Sequence, residues 1–169
     1  MMNDAARQQD RLRPSLLERL TDDAPTQKVE ARDRRQGSEQ RLRESVLRDL
    51  GWLMNCTSLE SQVDLDDYPF IKASVINFGV PEFSGVVLAT LDAPELEERI
   101  RAAILRFEPR IIPESLVVRC RTDRNAMSLH SLGFDIKADV RADPMPLPLA
   151  LRTQIDVESN DVIITEQAR

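Results

Sequence analysis

The chain has 169 residues, 41% apolar and 31% charged, which suits one compact domain with an added arm and hardly two full domains. Its 29 acidic against 23 basic side chains leave a formal charge of −6, arguing against a dedicated nucleic-acid binder, whose footprint is basic. Two cysteines and one histidine exclude a disulfide framework and a Cys/His zinc cluster. No apolar run nears the roughly 18–20 residues that span a bilayer, and the N-terminal stretch has no apolar signal core. The expectation is a cytoplasmic protein with no cofactor, no metal and no direct membrane insertion.

Residues 1–37 read as a flexible, charged N-terminal arm. Within it Pro14 can open a short docking helix near residues 14–21, with Leu16, Leu17 and Leu20 on one side. So short a helix is marginal alone in water, so its leucines must dock on their own domain or on another protein. Ser38 to Cys56 follows as the best helix, with Ser38 as N-cap and Leu42, Val46, Leu47, Leu50, Leu53 and Met54 in one stripe. Trp52 lies off the centre of that stripe, one turn above Arg48 and close to Arg41 and Ser45. It is either a tryptophan at the core's edge or an exposed aromatic anchor flanked by arginine, a composition favoured at interface hot spots.

Further on, Ser74 can cap a single helical turn that Gly79 ends, and Pro81 prevents continuation. Asp92-Ala93-Pro94 opens a second helix whose apolar face is Leu96, Ile100, Ala103, Ile104 and Phe107. Pro109 stops it at Glu108, leaving Glu108 and Arg110 at a sharp corner. The period then changes from 3.6 to 2. Leu116, Val118 and Cys120 alternate with Val117, Arg119 and Arg121, a strand with one basic face. Asp123-Arg124-Asn125 reads as a turn, and a parity change after Met127 and Leu129 suggests a bulge near His130. Leu132, Phe134, Ile136, Ala138 and Val140 define a second strand. After a loop from Asp143 to Pro148, the residues Leu149, Leu151, Thr153, Ile155 and Val157 define a third. Residues 159–169 read as a C-terminal tail, although Val162, Ile163 and Ile164 can pair with a strand edge. The class is α+β: N-terminal helices packed on a small, mostly antiparallel sheet, in one domain over residues 38–158.

Chemistry is sparse. Any triad would have to use His130, which reads as an edge histidine, and Cys120 reads as a small buried hydrophobe. A glycosidase needs only two carboxylates, and Glu108 with Asp64, Asp66 and Asp67 are candidates. Twenty-nine acidic residues guarantee accidental pairs, however, and one Trp, one Tyr and five Phe make a poor sugar cleft. No catalytic residue is assigned, and the chain is read as a non-enzyme.

Four segments in register carry a resemblance. They are Arg13-Pro14-Ser15-Leu16-Leu17-Glu18-Arg19-Leu20-Thr21-Asp22, then Ser45 to Cys56, then Ser74-Val75-Ile76-Asn77-Phe78-Gly79, and last Ile104-Leu105-Arg106-Phe107-Glu108-Pro109-Arg110. Together, from about Arg11 to Val157, the chain resembles the TssE family. These are baseplate subunits of type VI secretion machines, related to the small wedge proteins of contractile phage tails and historically labelled lysozyme-like. The resemblance implies a fold similar to a contractile sheath domain. It also implies a structural role, joining TssF/TssG-like wedge subunits and initiating polymerisation of a TssB/TssC-like sheath, with a TssK-like baseplate subunit as a further partner. Several copies would sit in a sixfold baseplate docked to the inner membrane complex. The family's Glu-Pro-Arg motif falls on Glu108, Pro109 and Arg110, where the resemblance implies contacts that hold the baseplate core together. From the residues alone two readings of that corner stay open, a contact across an interface and an intramolecular brace. The other expected partner-binding residues are Trp52, Arg48, Leu16, Leu17, Leu20, Arg119 and Arg121, the last two on an edge suited to strand addition. A muramidase acting on cell-wall glycan is the alternative from another class.

Overall fold

A computed structural model describes residues 20, 36–83, 92–121, 131–142, 145–156, 159 and 161–167. Helix α1 runs Gln36–Met54, α2 is a single turn at Pro69–Lys72 and α3 runs Ala93–Phe107. Four strands follow: β1 Val117–Arg121, β2 Ser131–Val140, β3 Leu147–Asp156 and β4 Val162–Glu166. They form one antiparallel sheet in the order β1-β2-β3-β4. The architecture is α+β, helices first and sheet second, as the change of period predicts.

The α1 stripe buries Val46, Leu50, Leu53 and Met54, and α3 buries Leu96, Ile100, Ala103 and Ile104. Both meet the inward parity of the sheet, Leu132, Phe134, Ile136, Ala138 and Val140 on β2 with Leu149, Leu151 and Ile155 on β3. α1 packs beside β3 and β4, and α3 beside β1. Thr153 sits among these apolar residues because its hydroxyl is satisfied across the ladder. Its Oγ1 accepts from the Phe134 N–H at 3.0 Å and donates to the Phe134 carbonyl at 3.3 Å.

The ends of the elements explain where expectation and structure part. α1 starts at Gln36, so Ser38 lies inside the helix and is not its N-cap. It ends at Met54, two residues before Cys56, because the chain leaves to form a parallel bridge between Thr57 and Val80. There the Ser58 N–H donates to the Val80 carbonyl and the Val80 N–H to that of Cys56, each at 2.9 Å. Gly79 makes this approach possible, with φ at +135° and the Cys56 carbonyl oxygen only 2.4 Å from where a Cβ would stand. Ser74 does cap a turn, Val75–Asn77, accepting from the Ile76 N–H at 3.2 Å. Asp92 caps α3 by accepting from the Glu95 N–H at 3.1 Å.

Two regions of the C-terminal half differ from the sequence reading. β3 begins at Leu147, inside the expected loop, because Leu147 pairs with Val140 to extend the hairpin. Residues 162–166 are not tail but the fourth strand, the alternative open for Val162, Ile163 and Ile164. Val162 is buried, and Ile164 stands opposite Thr153. The Asp123–Asn125 turn, the bulge near His130, Val157 and the arm with Leu16 and Leu17 lie outside the described residues. Leu20 is helical and exposed.

Candidate interaction site

The corner after α3 is a closed charge network. Glu108 caps the helix, its N–H donating to the Ile104 carbonyl at 2.8 Å, and Pro109 turns the chain. Glu108 is only 3% exposed, so its carboxylate needs partners, and Arg110 supplies them. Arg110 Nε donates to Glu108 Oε1 at 2.7 Å, Nη2 to Oε2 at 2.5 Å, and the Arg110 backbone N–H to Oε1 at 3.1 Å. The guanidinium also reaches α1, with Nη2 to Asp49 Oδ2 at 2.5 Å and Nη1 to Ser45 Oγ at 2.8 Å. One planar fork therefore ties the end of α3 to the side of α1. Burial works against the Arg110 charge, but the bonds and attraction of Glu108 and Asp49 outweigh it and raise its pKa.

The network extends to the tryptophan. Arg48 Nε donates to Asp49 Oδ1 at 3.1 Å and Nη2 to Ser45 Oγ at 3.3 Å. The Arg48 guanidinium carbon stands 5.2 Å from the Trp52 ring centroid, a cation–π contact. Trp52 is 52% exposed, an outward aromatic and not a core residue. Trp52, Arg48, Glu108 and Arg110 are thus brought together, with Asp49 and Ser45 as the joints. Sequence reasoning missed Asp49. The signal was present, since Ser45 and Asp49 are four apart on one face of α1, beside Arg48.

Arg119 and Arg121 are not part of this corner. Arg119 pairs with Glu97 at 3.0 Å and Arg121 with Asp135 at 3.8 Å. Glu97 belongs to the first turns of α3, eleven residues or about 16 Å of helix from Glu108. The basic face of β1 therefore meets carboxylates from two other elements, Glu97 of α3 and Asp135 of β2, the latter shared with Arg152 at 3.1 Å. Glu97 Oε1 also accepts from the outward Cys120 N–H at 2.8 Å, closing part of that edge. Burial first, then the Glu97 charge, push the Cys120 thiol up.

At the opposite edge, the start of β4 is held by a side chain. Asn55, just past α1, uses its carboxamide as a strand mimic. Nδ2 donates to the Val162 carbonyl at 3.0 Å, and Oδ1 accepts from the Val162 N–H at 2.9 Å. By alternation, Ile164 and Glu166 turn the same way, away from β3. Among the described residues no group of three or more His, Cys, Asp or Glu is placed to hold a metal. A cleft of about 350 Å³ beside α3 is lined by charges including Asp66, Lys72, Arg99 and Arg106.

The molecule is thus a helix-covered antiparallel sheet with a braced charged corner and a half-exposed tryptophan beside it. Residues 40–145 match the family described as Baseplate wedge protein gp25, and the chain belongs to that family. Its role at that level is structural, among other baseplate subunits of a contractile phage tail or type VI secretion machine. No curated protein and no solved structure matches the chain. Among the described residues no helix is long and apolar enough to cross a membrane.

Proposed function

We propose that this chain joins TssF/TssG-like wedge subunits of a type VI secretion baseplate and gives the first ring of TssB/TssC-like sheath subunits a template to grow from. The observation that carries the reading is the wedge-family match over residues 40–145. In this reading the chain works in the cytoplasm, in several copies within a sixfold baseplate docked to the inner membrane complex, with a TssK-like subunit beside it.

Three features support it. Trp52 with Arg48 presents a half-exposed aromatic on a stiff ionic base, the composition of a hot spot. Pro109 is exposed at the turn that Glu108 and Arg110 lock, so those two charges shape a wedge contact by holding the corner. The outer edge at Ile164 and Glu166 suits an added strand from a sheath subunit better than the edge at Arg119 and Arg121, which Glu97 occupies. The leucines of residues 1–37 serve as a flexible docking arm in a neighbour's groove. Glu108 is buried with both oxygens engaged by Arg110, which suits a brace better than a group that meets a sugar.

The test is a pull-down of purified chain with TssF/TssG-like and TssB/TssC-like subunits, with and without residues 1–37. The expected result is capture of both by the full chain and weaker wedge capture by the truncated one. Capture of neither contradicts the proposal.

A further inference from the structure

A second surface lies apart from the braced corner, between Tyr68 and Ile76. Phe70 is 89% exposed, Val75 79% and Ile76 66%, with Tyr68 also exposed. Soluble chains rarely leave so many large apolar side chains together in water without a use for them.

The segment beneath them is stiff. Asn77 is buried, its Oδ1 accepting from the Glu60 N–H at 2.9 Å and its Nδ2 donating to the Lys72 carbonyl at 3.1 Å. Arg106 of α3 donates to that same carbonyl at 3.0 Å. Phe78 packs edge-on against Phe107 with centroids 5.1 Å apart. The exposed side chains therefore project from a fixed base, and little ordering cost attends their burial by another molecule.

We propose that the face carrying Tyr68, Phe70, Val75 and Ile76 docks into an apolar groove, rimmed by lysine and arginine, on another baseplate subunit. The inference rests on the wedge reading above. Charge selects the occupant. The exposed Asp64 and Asp67 sit just before Tyr68; of the cations nearby, Lys72 pairs with Asp66 at 2.9 Å, Arg106 is turned to the Lys72 carbonyl, and Arg99 lines the cleft beside α3. A second copy of this chain would set those aspartates against themselves, and an anionic membrane would repel them. A basic rim completes them. The projection of Phe70 calls for a concave partner, as in helix-lined grooves that take single apolar anchors.

The probe is a purified TssF/TssG-like wedge complex, and the variant is Phe70→Ser with Ile76→Ser, with Val75→Ser as a second, milder change. Because these side chains are exposed, the melting temperature stays within a degree or two of wild type, while wedge affinity falls about tenfold or more. Asp64→Lys with Asp67→Lys also weakens binding, and wild-type affinity drops as salt rises. Equal affinity of wild type and the serine variants overturns the inference and leaves the wedge reading standing. No binding by wild type overturns both. A wild-type dimer dissolved by the serine changes assigns the face to a second copy, and vesicle binding (phosphatidylglycerol with phosphatidylethanolamine) lost in those variants assigns it to a membrane. Either result overturns the proposal.

Discussion

Removing the Arg110 guanidinium leaves the Glu108 carboxylate buried with no cation among the described residues, while Asp49 still has Arg48. Arg110→Ala is therefore expected to cost about 3 kcal/mol, and Asp49→Ala about 1 kcal/mol, in equilibrium urea unfolding. Arg110→Lys keeps the charge but not the fork and falls between them. Near-equal losses for the two alanine variants would contradict the hierarchy. Gly79→Ala sets a Cβ against the Cys56 carbonyl at a positive φ. It should destabilise by about 2 kcal/mol or more, with the loss of protection centred on the Thr57–Val80 bridge. The cysteines make a third test. The Cys120 thiol is raised above its ordinary value of 9.0, so the folded state holds that proton more tightly. Its contribution to stability is complete below pH 9 and is lost as pH climbs through the higher folded-state value. At pH 8, iodoacetamide followed by mass spectrometry should modify the exposed Cys56 first and Cys120 much more slowly. Equal rates would contradict the burial and Glu97 contact assigned to Cys120.

At the scale of elements, β4 is held to α1 from two sides, by the Asn55 carboxamide on Val162 and by the Arg43–Glu166 ion pair. Asn55→Ala should open β4 locally, raising amide exchange at Ile163 and Thr165 about tenfold while the β2 amides stay protected. Uniform exchange across the sheet would contradict a local anchor. β4 is also where the sequence was least legible. Val162, Ile163 and Ile164 form a run too short to show which face is buried, and their pairing depends on Asn55, 107 positions away from Val162. The helices and β2 were readable because their patterns are long. Leu96 to Ile104 repeats at helical spacing, and Leu132 to Val140 alternates without a break. The α1 start was missed because Ser38 has the chemistry of a cap without its position. Of the site, Trp52, Arg48, Glu108 and Arg110 were legible as residue types at telling positions. That they meet was not, since it requires Asp49 to face Arg110 across 61 residues. The carboxylate that meets Arg119 was not legible, because strand parity is silent about Glu97, which arrives from another element.

On the scale of the whole molecule, the same features recur: a core closed by α1 and α3 over one face of the sheet, with distinctive groups at its margins. The braced corner with Trp52, the outer edge of β4 and the apolar face at Phe70 are separate surfaces, as a part that meets several neighbours requires. Double alanine substitution of Glu108 and Arg110 separates bracing from contact. Bracing alone predicts a lower melting temperature with wedge capture intact after correction for the folded fraction. An additional interface role predicts a further loss of capture beyond that correction. The most direct measurement of the central claim is sheath assembly counted by fluorescence microscopy, in cells lacking this gene and in cells where it is restored. Sheaths are expected to fail to form without the chain and to return with it. Sheaths of normal number and length in the deletion strain would contradict it.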